Sequence, residues 1–225
     1  MEGAAGSLQL VLALGHAESF ARDDFIAGAS NAAAVKLVDR WPDWPSRIMA
    51  LVGEEGSGKT HLAAAWGENA GARFLSARLL DEADLPAALS TGALVVEDLT
   101  PQSADEIKLF HLLNLAQQQN AFVLLTARWS PTLWPVALPD LTSRLRALPV
   151  VELAPPDERL LRALMHKLAA DRQIELEGAL IDFLFARIER SFAGVREAVA
   201  KLDREAMRKK RPVNKALAAE VFRAP

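Results

Sequence analysis

One octapeptide has the residue types and the spacing of a phosphate-binding loop. It runs from Gly53 to Thr60, reads Gly-Glu-Glu-Gly-Ser-Gly-Lys-Thr, and matches the pattern G-x-x-x-x-G-K-[ST]. Glycines let successive backbone N–H groups turn inward around phosphate oxygens, the lysine supplies a point charge, and the threonine hydroxyl can face Mg²⁺. The octapeptide therefore predicts that the chain binds a nucleoside di- or triphosphate with Mg²⁺.

The segments on either side of this loop have the structure that a phosphate site requires. The apolar run at 48–52 predicts a buried strand, and the run at 61–66 predicts a helix whose positive dipole end points at the phosphates. A glycine turn with an exposed lysine, and a loop that has lost nucleotide binding, are the alternatives. The nucleotide-binding residues predicted in this segment are Gly53, Glu55, Gly56, Ser57, Gly58, Lys59, Thr60 and His61.

Composition restricts the partners of this chain. Of its 225 residues, 51% are hydrophobic and 24% are charged, and none is a cysteine, which excludes disulfides and thiolate metal sites. The net charge of −3 argues against an electrostatic nucleic-acid binder, so we expect contact with DNA to be indirect. The apolar stretch at 8–14 is too short to span a bilayer and lacks a basic flank, so we expect a cytoplasmic protein without a signal peptide or membrane anchor.

The periodicity of the chain predicts an α/β fold followed by helices. Apolar runs predict strands at 47–52, 73–76, 93–98, 122–126 and 150–153. Helical patterns lie between them at 59–70, 78–89, 103–120 and 139–147. Such alternation indicates a parallel sheet covered by helices on both faces. After Pro155 all patterns are helical, at 157–172, 177–190, 192–210 and 213–223. We therefore expect an arm at 1–20, a nucleotide-binding base at 21–154 and a helical subdomain at 155–225.

Two further strand ends could complete the chemistry of a phosphate loop. The strand at 93–98 ends in Glu97 and Asp98, and in such a pair one carboxylate can hold the Mg²⁺ shell while the other orients an attacking water. Glu97 is the predicted magnesium ligand beside Thr60. Because the usual order is Asp and then Glu, we expect intrinsic hydrolysis to be weak or absent. Thr126 ends the next strand along the chain, where its hydroxyl could contact the terminal phosphate or the water. An acidic strand end without a role is the alternative.

These segments follow one another in an order that resembles a known group of proteins. After Thr126 come Leu-Pro-Asp-Leu-Thr-Ser-Arg-Leu at 138–145 and Gly-Val-Arg-Glu at 194–197. This order is similar to that of AAA+ proteins of the DnaA replication-initiator group, over about residues 18–205. The resemblance implies the P-loop AAA+ fold, an α/β fold with a parallel five-stranded sheet flanked by helices and followed by a small all-helical lid. The segment at 25–31 resembles the adenine pocket of that group, which implies binding through Phe25, Ile26, Gly28 and Asn31.

The resemblance also implies roles for two arginines. Arg144 matches the arginine finger, which reaches a nucleotide held by a neighbouring subunit, and Arg196 matches the sensor 2 arginine, which contacts the chain's own phosphates. A surface salt bridge is the alternative for each. Arg128 departs from the pattern, because DnaA-like proteins tend to carry an acidic or small polar residue there.

The N-terminal arm contains a short motif for a protein partner. Residues 8–14 resemble the Gln-Leu-x-Leu-x-Leu peptides that bind the DNA polymerase III sliding clamp (beta subunit), in which an extended apolar segment lays alternate side chains into a groove. An edge strand or a loosely packed tail is the alternative, and Ala13 stands where a bulkier residue or proline is frequent. The predicted clamp-binding residues are Gln9, Leu10, Leu12 and Leu14.

The resemblance as a whole implies a regulator. No helix-turn-helix segment follows the helical lid in these 225 residues, so we expect a stand-alone AAA+ unit, similar to the Hda-type regulatory inactivators of DnaA. Such a protein would bind ADP or ATP, hold the clamp and promote hydrolysis of DnaA-bound ATP in trans. The alternatives are a helicase-loader or clamp-loader ATPase, a small-molecule kinase, and a structural adaptor; self-association into a homodimer is left open.

Overall fold

The apolar runs of the sequence form a five-stranded parallel sheet in the computed structural model, which describes residues 25–103 and 105–223. The strands are β1 (Ile48–Gly53), β2 (Arg73–Ser76), β3 (Ala93–Leu99), β4 (Phe122–Ala127) and β5 (Val150–Leu153). Their spatial order is β2-β3-β4-β1-β5, and every pairing is parallel. The α/β fold class predicted from the sequence is therefore confirmed.

The sheet is buried on both faces, which explains why its central strands are continuously apolar. All six residues of β1 are buried, and their side chains alternate between two clusters. Ile48 and Ala50 face one layer of helices, while Met49 and Leu51 face the other. The chain thus forms three layers, with its cores on either side of the sheet.

Helices cover both faces of the sheet, and further helices follow the last strand. One face carries α1 (Ala32–Asp39) and α2 (Lys59–Ala70), and the other carries α3 (Leu85–Ala88), α4 (Glu106–Gln118) and α5 (Pro139–Ala147). The remaining helices are α6 (Glu158–Ala170), α7 (Gly178–Phe185), α8 (Phe192–Lys209) and α9 (Lys215–Val221). These four pack around a separate apolar cluster that includes Leu161, Ile181 and Val199.

The local sequence accounts for several helix boundaries that differ from the predicted ones. The continuous helix predicted at 78–89 is wrong: a 3₁₀ turn at Ala77–Leu79 is followed by the single turn α3. Pro86 lacks an N–H and is accepted only in a first turn, so the helix starts afresh after Asp84, whose carboxylate accepts a hydrogen bond from the N–H of Ala87. The helix predicted at 177–190 is also shorter and spans only Gly178–Phe185.

The N-terminal arm, including Gln9, Leu10, Leu12 and Leu14, lies outside the described residues. In the part of the chain that the structure describes, no helix has the length and apolar character needed to cross a membrane.

Candidate nucleotide-binding site

The predicted phosphate loop lies at the carboxyl end of β1. There the chain leaves β1 for β2 at the far edge of the sheet, and ligands of open α/β sheets bind at such crossover points. Gly56 and Gly58 have φ angles of 73° and 95°, in the region that only glycine adopts readily. Gly58 is also the N-cap of α2 and offers no side-chain cap, which leaves the first N–H groups of this helix open to an anion.

Lys59 crosses the loop and is held by its backbone. Its Nζ donates to the carbonyl oxygens of Gly53 and Glu54, each at 2.8 Å. Burial lowers the pKa of Lys59, whereas the negative charges of Asp98 and then Glu55 raise it. A half-buried ammonium with carbonyl partners and a nearby carboxylate is well suited to a phosphate oxygen.

The two predicted magnesium ligands lie together. The Thr60 hydroxyl forms a hydrogen bond with the Glu97 carboxyl. Burial raises the pKa of Glu97, that hydrogen bond lowers it, and the charge of Asp98 raises it. Within residues 25–103 and 105–223 no group of three or more His, Cys, Asp or Glu residues could hold a metal ion. Thr60 and Glu97 alone would be too few ligands for Mg²⁺, so an ion bound beside them would need phosphate oxygens and water to complete its shell.

A bulge in β3 turns Asp98 toward the loop. The pairing with β4 shifts register between Val96 and Leu99, and Asp98 has a φ of 57°. The hydroxyl of buried Thr126 accepts a hydrogen bond from the N–H of Asp98 at 3.0 Å. Thr126 thus holds the bulge that directs Asp98 into the cavity; it does not itself line the cavity wall.

A cavity of about 380 Å³ opens above the loop, between the sheet and the C-terminal helices. Phe25 and Phe192 lie over Gly58, and a Cβ added there would come within 3.3 Å and 3.7 Å of the two rings. The added Cβ would be in tight contact with Phe25 alone, so it is the φ of 95° that requires glycine at this position. The predicted residues that line the cavity are Phe25, Ile26, Glu55, Gly56, Gly58, Lys59, Thr60, His61, Asp98 and Arg196.

Four other predicted residues lie behind the cavity wall: Gly28, Asn31, Gly53 and Ser57. Asn31 is buried, and its side chain accepts from the N–H of Gly28 at 2.7 Å and donates to the carbonyl of Ile26 at 2.9 Å, so it closes the 26–31 turn. A Cβ on Gly53 would lie 2.6 Å from the carbonyl oxygen of Leu153, and Ser57 is buried beside it. These residues shape the wall without facing into it.

The two predicted arginines lie in different places. Arg196 is on α8, lines the cavity, and has no hydrogen bond or ion pair to any residue that the structure describes. Arg144 is on α5 and does not line the cavity; its Nη1 donates to Oε1 of Gln117 at 2.8 Å, and its guanidinium carbon is 5.4 Å from the Phe110 ring centroid. It shares a groove with Ser46, Arg47 and Ile48 at the amino end of β1, whereas the phosphate loop lies at the carboxyl end of β1.

Sequence reasoning did not select three residues of the cavity wall: Leu164, Phe192 and Ala193. A local signal existed for Phe192 and Ala193, because they lie four and three positions before Arg196 on one helix and so share its face. Leu164 is an ordinary apolar position of α6, and no spacing in the sequence distinguishes it from the core.

Comparisons with known proteins agree with this geometry. No family model matches the chain. The chromosomal replication initiator protein DnaA of Cutibacterium acnes is 25% identical over 228 residues, covering 89% of this chain and 45% of that protein. The chain thus spans less than half the length of this relative.

Solved structures share the fold. Domain III of Thermotoga maritima DnaA matches with a TM-score of 0.74 at 19% identity, over 93% of this chain and 99% of that one. AMPPCP-bound DnaA from Aquifex aeolicus matches with a TM-score of 0.67 at 20% identity, over 85% and 68%. A RuvB variant of T. maritima matches with a TM-score of 0.69 at 18% identity, over 90% and 71%.

The sheet, the loop at the end of β1 and these structural matches define an AAA+ nucleotide-binding fold. Within that class the chain is similar to DnaA in sequence and has the fold of DnaA domain III, which confirms the predicted resemblance to the DnaA group.

Proposed function

We propose that this protein is an adenine-nucleotide-binding AAA+ regulator of replication initiation, similar to Hda, which binds the sliding clamp and promotes hydrolysis of DnaA-bound ATP. The observation that carries the proposal is a DnaA-like sequence whose phosphate loop, Asp98 and Arg196 line one cavity, with Glu97 beside Thr60 but outside the cavity lining. The ligand is ADP or ATP with Mg²⁺. This is supported by the Phe25 and Phe192 rings that lie over Gly58 and by the similarity to a DnaA that binds AMPPCP.

The chain's own hydrolysis is slow under this proposal. A general base must be free to take a proton from water, and the short Asp98 carboxylate lies close enough to Lys59 for their charges to interact. Glu97 is engaged by the Thr60 hydroxyl, beside which Mg²⁺ would bind. Neither carboxylate is therefore well placed to activate water, and bound nucleotide chiefly sets the angle between the sheet and the C-terminal helices.

Arg144 acts on the nucleotide of a neighbour. Its groove lies at the amino end of β1, and the strand's six residues put the phosphate loop about 17 Å away. The guanidinium therefore serves no phosphate of its own chain. Its contacts to Gln117 and Phe110 are partly exposed and can be exchanged for a partner's phosphate, where a fixed positive charge stabilises the charge developing on the transferred phosphoryl group.

The test is phosphate release from ATP-loaded DnaA in the presence of clamp, DNA and this protein. We expect the wild type to stimulate phosphate release. Arg144→Ala should lower the stimulated rate at the DnaA site by ~10³-fold or more. Arg144→Lys should restore little of this rate, because an ammonium cannot span two phosphate oxygens as a guanidinium does. Arg146→Ala, an exposed change on the same helix, is the matched control.

The other outcomes identify the rival functions. Full activity of a folded Arg144→Ala protein would refute action in trans. Rapid ATP turnover by this protein in the absence of DnaA would instead favour a helicase-loader or clamp-loader ATPase. Binding to DnaA without phosphate release would favour a structural adaptor.

A further inference from the structure

A second cavity adjoins the first on the far side of the phosphate loop. It has a volume of about 630 Å³ and shares Glu55, Lys59 and Asp98 with the cavity already described. In a phosphate loop the lysine reaches the second and third phosphates, and Lys59 lines both cavities, so a triphosphate has a terminal phosphate that can reach this space and a diphosphate does not.

Arg128 lines the second cavity and follows directly on the end of β4. Its Nη2 forms an ion pair with Oε2 of Glu54, in the phosphate loop, at 3.0 Å. Both side chains are about half exposed, at 48% and 58%, and exposed pairs of this kind contribute little to stability. The pair can therefore be exchanged for a stronger anion.

Glu54 contacts two cations that line the second cavity, Lys59 and Arg128. Its carbonyl oxygen accepts from Nζ of Lys59 at 2.8 Å, and its carboxylate pairs with Arg128. The two cations are near enough that the charge of Arg128 lowers the pKa of Lys59. An anion that engages Lys59 at this point therefore also attracts the Arg128 guanidinium.

We propose that Arg128 distinguishes nucleoside triphosphates from diphosphates, by exchanging the Glu54 carboxylate for the terminal phosphate. A guanidinium forms two parallel hydrogen bonds with a phosphate, and a terminal phosphate carries more negative charge than a carboxylate. The proposal rests on the nucleotide binding proposed above and adds a residue that the DnaA resemblance does not supply, since Arg128 departs from that pattern.

The fluorescence of Trp129 should report the movement of Arg128 from Glu54 to a phosphate. The Arg128 guanidinium carbon lies 5.3 Å from the centroid of the Trp129 ring, and Trp129 is 59% exposed, whereas Trp44, Trp66 and Trp134 are buried. Movement of the guanidinium toward a phosphate removes a cation from the face of this indole. Triphosphate should therefore change the Trp129 emission, and diphosphate should change it much less.

The experiment measures dissociation constants for AMPPCP and for ADP, each with Mg²⁺, on the full chain. We expect Arg128→Gln to reduce the preference for AMPPCP over ADP by about tenfold, the loss of one charge-assisted phosphate contact. Glu54→Gln should raise that preference, because the competing carboxylate is gone. Arg146→Gln, which removes an exposed arginine elsewhere, should leave the ratio unchanged.

A double mutant separates exchange from simple repulsion. If Glu54 acts by holding Arg128, then Glu54→Gln has no effect on the ratio in an Arg128→Gln background; if it only repels phosphate, its effect persists and the proposal is overturned. The emission change on adding AMPPCP should disappear in Trp129→Phe and in Arg128→Gln.

Two failures can be told apart. No binding of either nucleotide to the wild type overturns the proposed nucleotide-binding function. Binding of both nucleotides with an AMPPCP to ADP ratio that Arg128→Gln does not alter overturns the role of Arg128 alone.

Discussion

At the scale of single residues, the site contains a carboxylate that is costly to keep charged. Burial raises the pKa of Glu97 above its ordinary value of 4.5. Because the folded protein then holds this proton more tightly than the unfolded chain does, the free energy of unfolding falls as the pH rises from about 4.5 through the raised pKa. The charged form of Glu97 therefore costs the fold stability, which is typical of groups that serve a ligand.

Glu97→Gln should therefore stabilise the protein at pH 7 while weakening the effect of Mg²⁺ on nucleotide binding. The amide keeps an acceptor for Thr60 but carries no charge to desolvate and none to offer a cation. Thermal unfolding with pH should show the two proteins converging as the pH falls below about 4.5. Glu82→Gln, at an exposed position, is the control, and a variant that melts below the wild type at pH 7 would contradict this account.

At the scale of elements, the amino-terminal end of α8 brings the C-terminal helices to the phosphate loop. It carries Phe192 and Arg196 into the cavity and begins after Ser191, whose hydroxyl accepts from the N–H of Gly194 at 3.0 Å. A Cβ on Gly194 would lie 2.3 Å from the carbonyl oxygen of Glu189, a backbone atom that cannot move aside alone. The close approach of these two segments fixes where α8 starts.

Gly194→Ala should destabilise the protein by about 1–3 kcal/mol and weaken nucleotide binding, since the helix must shift together with both site residues. The matched change is Gly178→Ala in the first turn of α7, where an added Cβ meets nothing within 4 Å. That variant should gain about 0.5–1 kcal/mol from helix propensity and bind nucleotide as the wild type does. Chemical denaturation and ligand titration of the pair check both effects, and equal behaviour of the two variants would exclude the close-contact explanation.

At the scale of the whole molecule, the candidate site joins the sheet to the C-terminal helices. Lys59 follows β1 whereas Phe192 and Arg196 belong to α8, and all three line one cavity. A ligand in that cavity binds the folded chain only, so it must raise the stability of the whole fold.

ADP or ATP with Mg²⁺ at a hundredfold excess over its dissociation constant should add ~2.7 kcal/mol to the free energy of unfolding. Lys59→Ala should remove most of this gain, and Lys36→Ala, an exposed change on α1, should keep it. Thermal shift measurements check the prediction; the absence of a shift with every adenine and guanine nucleotide would rule it out.

The proposed clamp contact belongs to the predicted N-terminal arm, which lies outside the predicted sheet. Replacing Gln9 and Leu12 by Ala should therefore abolish clamp binding without a change in melting temperature or nucleotide affinity. Surface plasmon resonance with immobilised clamp measures the first effect. Undiminished clamp binding by the double variant would show that the folded part carries the contact.

Local spacing in the chain was enough to predict the sheet and the phosphate loop. A buried parallel strand is a continuous apolar run, and the loop's glycines and Lys59 are neighbours along the chain, so both features are visible within about ten residues. Bounds for β2 and β5 match the predicted ones, as do those of α2 and α5. The helix predicted at 78–89 does not form as one element, because Pro86 cannot lie in the interior of a helix.

Contacts between distant segments depended on packing in three dimensions. The bulge at Asp98 is held by Thr126, which lies 28 residues away, and the cavity is closed by Leu164 and Phe192 on helices far from the loop. The same holds for the pairing of Arg128 with Glu54 across 74 residues. Residue types predict which groups can do chemistry, but the partners of each group follow from which strands and helices become neighbours, and that is settled by burial of the whole apolar surface together.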